Sequence, residues 1–403
     1  MSTDTGTDET FTYVLVGSGM TADGAARGIR EIDPEGSILI LGADADRPYT
    51  RPALTKKLWT DPDFTVDDNW MNTADDTGAI LRPGTVADRI DPGARTVVAG
   101  GRRISYEKLL LATGGTPHRL DLPRTDRVLH FRTLADYRRL RELADRDLRV
   151  AVIGGSFIGT ELAAALVQHD TRVTLIYPDQ VLQSTPFPPG LARRFEQTYA
   201  EQGVTLRPES TVASGREIDG GRIELTLEGG STIDVDAVVV GIGIAPLTSL
   251  AEDAGLDVDD GIVVDEQLRT SAEGVWAAGD VASYPDARLG RRRVEHVDHA
   301  TTMGETVGRI MAGAEETYTH TPLFYSDVFE FSYEAVGEVD TSLEVIEDWI
   351  EPNARGVVFY LRDGRVRGVL LWGVQDKADD ARGILAEEGP HTAADLRGRL
   401  TAD

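Results

Sequence analysis

Two short stretches of this chain carry residue types at spacings suited to holding phosphate. In the first, Gly17, Gly19 and Ala22 fill a G-x-G-x-x-A pattern; in the second, Gly154, Gly155, Ser156, Phe157, Ile158 and Gly159 form a variant with serine at the second position. In such a turn the first glycine permits a sharp reversal and the second lets a pyrophosphate approach the backbone. The small third residue lets helix pack on strand, and the anion sits at the positive helix N-terminus. Ser156 brings a Cβ to the point of closest approach, which is expected to push the pyrophosphate slightly outward. An ordinary strand-to-helix turn can carry the same six residues, so the flanking elements decide.

Those elements favour nucleotide binding. The aliphatic run Thr12 to Val16 enters the first turn and GSGMTADGAA reads as the start of a helix; Arg149 to Ile153 enters the second, followed by GGSFIGTELAAAL. Each helix leads to another apolar strand, Ser37 to Leu41 and Thr171 to Ile176, completing a βαβ unit of about 30 residues. Two such units imply two dinucleotides. At the ends of the second strands an acidic residue is expected to meet the ribose hydroxyls. Asp44 is the candidate in the first unit, and Tyr177 followed by Asp179 in the second. No lysine or arginine lies between Val173 and Leu191 to neutralise a 2′-phosphate, which favours NADH over NADPH. The segment 96–116 reads as a hairpin and a buried strand ending in a turn at Thr113 and Gly114. A surface helix is expected over 133–146. Two alternating strands joined at Gly229-Gly230, then an apolar strand ending at Gly241, fill 220–240. From about 320 onward short strands (356–361, 366–372) and a helix in TAADLRGRL suggest a compact α+β region.

Composition narrows the chemistry. The 68 Asp and Glu against 41 Lys and Arg leave a net charge of −27, and the lysines are Lys56, Lys57, Lys108 and Lys377 alone. A surface so acidic repels nucleic-acid phosphates. The chain has no cysteine, which excludes disulfides, thiolate metal sites and any redox-active dithiol. Its first ten residues lack a basic, then apolar, leader pattern and its apolar runs are too short to span a bilayer, so a soluble, cytoplasmic protein without membrane contact is expected.

One stretch is more specific than either glycine turn. PYTRPALTKKLW, Pro48 to Trp59, resembles a signature of the ferredoxin-reductase and apoptosis-inducing-factor-like FAD-dependent pyridine nucleotide oxidoreductases. The resemblance continues in order through ATGGTP at 112–117, FRTLADYRRLRE, GGSFIGTELAAAL, VGIGIAPLTSLAEDAGL, VWAAGD at 275–280 and RRRVEHVDHATTMGETVGRIMAG. It implies a glutathione-reductase-like architecture: an FAD-binding domain from 10–124 and 244–320, an NAD(H)-binding domain over 125–243, and a C-terminal α+β domain over 321–403. By the same resemblance Arg51 and Arg132 contact FAD, and Lys56 lies beside the flavin N5 with Glu161 as its ion-pair partner. Phe157 covers the flavin face where nicotinamide docks. Gly279 and Asp280 meet the ribityl chain; Glu295, His296 and Val297 lie near flavin and nicotinamide; Thr113, Gly114, Gly241 and Gly243 line the dinucleotides. A cation near N5 stabilises reduced flavin, and a carboxylate keeps a buried ammonium paired. His296, Asp298 and His299 invite a metal reading, but their spacing does not place three ligands on one helix face, and no metal is expected.

The activity implied is hydride transfer from NADH to FAD, with electrons passed to a ferredoxin-like or other one-electron acceptor and no disulfide chemistry. The alternative within the resemblance is an NADH-responsive redox switch with slow oxidase activity. The C-terminal region would then present a surface for a partner or for a second copy of the chain. Arg288, Arg291, Arg292 and Arg293 are the evident basic cluster for an acidic acceptor. The charge of −27 also predicts a protein of a salt-rich cytoplasm, because salt near 1 M shortens the Debye length to about 3 Å and removes most self-repulsion. Circular dichroism is expected to show loss of fold in dilute buffer, reversed by salt; full stability without salt would contradict this.

Overall fold

A computed structural model describes residues 9–144 and 148–401. The polar stretch 1–8 and the last two residues expected in the 133–146 helix lie outside them; that helix is described as Leu134–Ala144. The architecture is mixed α/β with parallel sheets, as the two βαβ units require. The chain forms two compact units, one comprising Met1–Arg51, Thr65–Thr116 and Ala245–Pro322, the other Pro52–Phe64, Pro117–Ile244 and Leu323–Asp403.

In the first unit, strand Glu9–Val16 is flanked in parallel by Ile38–Leu41 and Arg102–Leu111. Ile80–Arg82 extends one side in parallel, Val275–Ala277 pairs in parallel with Arg102–Leu111, and an antiparallel hairpin of Ala87–Asp91 and Thr96–Ala99 completes the sheet. The expected hairpin and buried strand of 96–116 are thus one structure: Arg102–Leu111 begins as a hairpin arm and continues as a central strand. Val16 pairs with both Leu41 and Leu111, and Leu111 with Ala277, so four strands stop at one level. Helix Met20–Ile32 packs on helix Val297–Ala312 at backbone contact. A Cβ at Gly28 would lie 2.1 Å from the Glu305 carbonyl oxygen, and at Gly308 2.2 Å from that of Ala25. Only glycine fits there, and the close packing fixes the N-terminus of the second helix beside the first glycine turn.

In the second unit five parallel strands run in the order Thr205–Arg207, Arg172–Ile176, Arg149–Ile153, Ala237–Val240, Val128–His130. An antiparallel trio, Val212–Ile218, Arg222–Leu227 and Thr232–Val235, lies on this sheet's apolar face through Ile223, Leu225 and Val235. Residues 323–372 form a five-stranded antiparallel sheet in the order Leu323–Val328, Phe331–Gly337, Arg365–Trp372, Arg355–Arg362, Glu344–Glu351. Its aromatic face meets the nucleotide-type layer: Phe187 and Phe195 pack on Trp372, Tyr333 and Phe331, and Tyr199 on Phe329. The C-terminal helix expected in TAADLRGRL is present but short, and a longer one precedes it. TAADLRGRL supplies only one turn, Ala393–Leu396, closed by a Thr392–Asp395 capping box, whereas Ala378–Ala386 forms the helix that packs on the sheet. Gly398 two residues on, with φ +81°, stops that turn from propagating.

Candidate functional site

Because four strands of the first unit end together, Gly17, Ala112 to Gly114, and Ala278 to Gly279 converge at one edge of its sheet. Gly17 has φ +120°, and a Cβ there would stand 2.0 Å from the Ala112 carbonyl oxygen, so protein packing alone demands glycine. Gly19 differs: its φ is −91°, and a Cβ there would meet nothing within 4 Å. Neither strain nor protein contact requires glycine at 19, and the open space is of the kind a pyrophosphate can fill. Gly19 is also the N-cap of Met20–Ile32, with Ala22 fully buried in its first turn. The first-turn N–H groups are what such a helix offers an anion.

The residues expected at this site are placed as follows. Thr113 donates to the carbonyl of Leu247 and Gly114 accepts from its amide. The Asp44 carboxylate accepts from the Tyr49 hydroxyl at 2.9 Å and the Asp46 amide at 3.2 Å. Arg51 lies over the Tyr49 ring at 5.3 Å, so Tyr49, which sequence reasoning did not single out, joins Asp44 to Arg51. Gly279, φ +76°, would place a Cβ 2.2 Å from Thr21 Oγ1, and its amide donates to Met303 Sδ. That contact joins the Asp280 turn to both helices. His296 is the N-cap of Val297–Ala312. Burial holds its imidazole down at about 4 against the opposing influence of Asp280. Glu295 pairs with Arg293, which also bonds Asp260 at 3.2 Å. Arg291 donates to the carbonyls of Val264 and Ser283, and Arg288 to Thr321. Arg288, Arg291 and Arg293 of the cluster read as a docking surface are therefore each engaged with neighbouring groups of their own unit.

His320 bonds Asp298 at 2.6 Å, while His299 bonds the Tyr318 hydroxyl at 3.0 Å and stacks on Tyr284, and no group of three potential ligands occurs among the described residues.

The second unit repeats the turn with one change. Gly154 has φ +121°, with a Cβ position 2.2 Å from the Gly241 carbonyl oxygen, and a Cβ at Gly159 would reach 1.9 Å from that of Gly154. Ser156 occupies φ −87°, ψ −173°, almost the −91°, −169° of Gly19. Its backbone is ordinary extended chain that serine adopts without strain, and the residue is exposed at the start of Phe157–Val167. Gly155 faces Tyr177, whose Cβ would stand 2.8 Å from an added methyl. Tyr177 is fully buried and donates to Glu196 at 2.7 Å. It thus underlies the turn; Asp179 stands in the loop that follows, and Glu209, in the loop after the neighbouring strand Thr205–Arg207, donates its amide to the Asp179 carbonyl. Arg207 pairs with Ile176 across the sheet, a cation the local scan of 173–191 could not find. Gly243 accepts from the His118 amide, and Arg132 lies at the start of Leu134–Ala144, its amide bonded to Asp136.

One turn into the helix, Glu161 is 5% exposed, and its carboxylate is held on every side. Lys56 Nζ lies 2.6 Å from Oε1, Ser326 donates to the same oxygen at 2.6 Å, and Thr55 donates to Oε2 at 2.6 Å. Charge-assisted bonds of this length offset the cost of burying the pair. Three consecutive residues of one strand address the expected triad: Phe324 packs on Phe157 at 4.8 Å between ring centroids, Tyr325 lies 5.5 Å from Lys56 Nζ, and Ser326 bonds Glu161. Sequence reasoning named Lys56, Glu161 and Phe157 but missed Thr55, Phe324, Tyr325 and Ser326. A signal existed for Ser326, since alternation along Phe324, Ser326 and Val328 places a hydroxyl among inward apolar residues.

Comparison with known proteins agrees with this geometry. Residues 11–304 match the pyridine nucleotide-disulphide oxidoreductase family. The chain is 33% identical to apoptosis-inducing factor 1, mitochondrial, of Dictyostelium discoideum, over 94% of this chain and 78% of that one. It is 34% identical to the ferredoxin–NAD(+) reductase component of the anthranilate 1,2-dioxygenase system of Burkholderia cepacia, over 81% of each. Among solved structures, the covalent putidaredoxin reductase–putidaredoxin complex superposes with a TM-score of 0.88 at 27% identity, over 95% of this chain and 94% of that one. Among the described residues no helix is long and apolar enough to cross a membrane.

The buried His299 gives the site a measurable pH signature. Burial drives its imidazole down to about 3; Asp280 and Asp298 oppose this, and His296 and His320 reinforce it. An unfolded imidazole titrates near 6.5, so below that pH the unfolded chain takes up the proton first and stability falls between about 6.5 and 3. Urea unfolding is expected to lose up to about 1.4 kcal/mol per pH unit from this group below pH 6, a component absent in His299→Gln. Parallel pH profiles for the two proteins would contradict it.

Proposed function

The chain belongs to the pyridine nucleotide-disulphide oxidoreductase family, and from that premise we propose that this FAD oxidoreductase takes its hydride from NADH and passes electrons to a ferredoxin-type one-electron carrier. The disulphide chemistry of the family name is closed to a chain without cysteine. The observation that carries the reading is the enclosed Lys56–Glu161 pair beside Phe157, in a unit whose parallel sheet ends in a second phosphate-binding turn.

The residues divide the work. Gly17, Gly19 and Ala22 receive the FAD pyrophosphate, Asp44 the adenosine ribose, Arg51 and Arg132 the cofactor's polar groups, and Asp280 the ribityl chain. His296 and Val297, with Glu295, begin a helix whose N-terminal N–H groups suit an anionic flavin edge. Thr113 and Gly114 support the same site. FAD held there would supply the redox chemistry, acceptance of a hydride and release of single electrons. Gly154 to Gly159 receive the nicotinamide dinucleotide, with Gly241 and Gly243 behind them, and the Ser156 hydroxyl is a donor that glycine lacks. Phe157 would be the aromatic cover of the flavin face that nicotinamide needs. Lys56 supplies positive charge for reduced flavin, and Glu161 keeps that ammonium in place. These roles follow the division into an FAD domain at 10–124 and 244–320, an NAD(H) domain at 125–243, and a partner or dimer surface at 321–403.

NADH rather than NADPH is supported by Asp179 and Glu209 in the loops after neighbouring strands, where they would oppose a 2′-phosphate, against the cation Arg207. A ferredoxin-type acceptor is supported by what the Burkholderia relative is named for and by the redox partner in the superposed complex. A second reading, an NADH-responsive switch, is supported by the likeness to apoptosis-inducing factor.

Stopped-flow mixing with NADH, followed by cytochrome c reduction with and without added ferredoxin in high salt, separates the two. The reductase reading predicts fast flavin bleaching and acceleration by ferredoxin; no acceleration together with an NADH-dependent sedimentation shift would establish the switch instead. Lys56→Ala is expected to slow flavin reduction by about 100-fold. An unchanged rate and flavin spectrum would remove the proposed role of Lys56.

A further inference from the structure

We propose that Ser326 is a positioning residue for hydride transfer, tuning through Glu161 the positive charge that Lys56 presents to the flavin; this rests on the function proposed for the Lys56–Glu161 pair. Ser326 is 1% exposed and lies in the edge strand Leu323–Val328 of the five-stranded sheet, opposite the fully enclosed Tyr333. Its hydroxyl and the Lys56 ammonium share one oxygen, Oε1 of Glu161, each at 2.6 Å, while Thr55 takes the other.

The sharing has a definite electrostatic consequence. A hydroxyl donating to a carboxylate stabilises its charged form and lowers the basicity of the oxygen it touches. With Ser326 in place, Oε1 pulls less strongly on Lys56, and less of the ammonium's field is cancelled inside the pair. Without it, Oε1 turns wholly to Lys56 and the net positive charge available to reduced flavin falls. Thr55 cannot substitute, because it donates to Oε2 and comes from the residue next to Lys56 itself. Ser326 also belongs to a run in which Phe324 contacts Phe157 and Tyr325 faces Lys56, so the strand holds all three members of the expected triad in register. The polarity and size at 326 are therefore specified by Glu161 and not by the apolar face of the sheet.

The test uses the FAD-loaded full chain and reads both the rate of flavin reduction by NADH and the flavin midpoint potential. Ser326→Ala is expected to slow reduction about tenfold, the worth of one hydrogen bond to a charged group, and to lower the two-electron potential by about 30 mV, the equivalent of a tenfold change. Ser326→Thr, which keeps the hydroxyl, is expected to restore both, and Ser326→Cys, a weak donor of similar shape, to fall between. An alanine variant with normal rate and potential, beside a Glu161→Gln variant altered in both, would overturn the role of Ser326 and leave the Lys56–Glu161 reading standing. If Glu161→Gln is also silent, the pair itself has no flavin role and the proposal fails with it. Should the alanine variant not fold, equal potentials in the threonine and cysteine variants would overturn the proposal.

Discussion

The arrangement of the second unit depends on one buried carboxylate. An ionised Glu161 at 5% exposure is tolerable only if its oxygens are fully engaged, and the groups that engage it come from two distant parts of the chain: Thr55 and Lys56 on one side of it in sequence, and Ser326 on the other. Removing one partner of such a pair typically costs about 3–5 kcal/mol, because the survivor is left buried and uncompensated. The same constraint explains why 52–64 and 323–403 fold within one compact unit with the second nucleotide turn. The aromatic packing of Phe187, Phe195 and Tyr199 on the antiparallel sheet makes that unit rigid, so the carboxylate and its donors are held without adjustment when chemistry requires them.

The two phosphate turns show how much of a glycine pattern is protein and how much is ligand. Gly17 and Gly154 have φ near +120° and backbone within about 2 Å of an added methyl, so both are fixed by folding whatever binds. Position two is different. Gly19 and Ser156 share one backbone conformation, and the chain tolerates a side chain at either. The substitution at 156 therefore records what the second dinucleotide accepts and is no defect of the fold. The net charge of −27 adds a separate constraint: with Arg291 and Arg293 engaged by neighbouring groups, an acidic carrier of the proposed kind would meet this chain only with its repulsion screened by salt.

Legibility followed the range of the interactions. The βαβ units were readable because strand, turn and helix are adjacent in sequence, and Arg149 to Ile153 falls where the aliphatic run places it. Arg355–Arg362 and Arg365–Trp372 were readable from their apolar runs around Asp363-Gly364. Glu344–Glu351 was not, because an edge strand carries outward charge and its alternation is diluted by Glu347, Asp348 and Glu351. In the site, Lys56 and Glu161 were legible only through resemblance; no local pattern joins residues 105 positions apart. Tyr177 stood at the position where a ribose partner is expected, yet the room left by Gly155 draws its ring under the turn. Arg207 escaped notice because it comes beside Tyr177 only through strand pairing.

The proposed function is that of a chain that holds FAD and is reduced by NADH with no thiol of its own. The most direct measurement is an anaerobic titration of the FAD-loaded protein with NADH in high salt, following the visible flavin absorption. The account predicts complete bleaching at one equivalent of NADH, with markedly weaker response to NADPH. Flavin that stays oxidised under excess NADH, or a chain that retains no FAD, would contradict it.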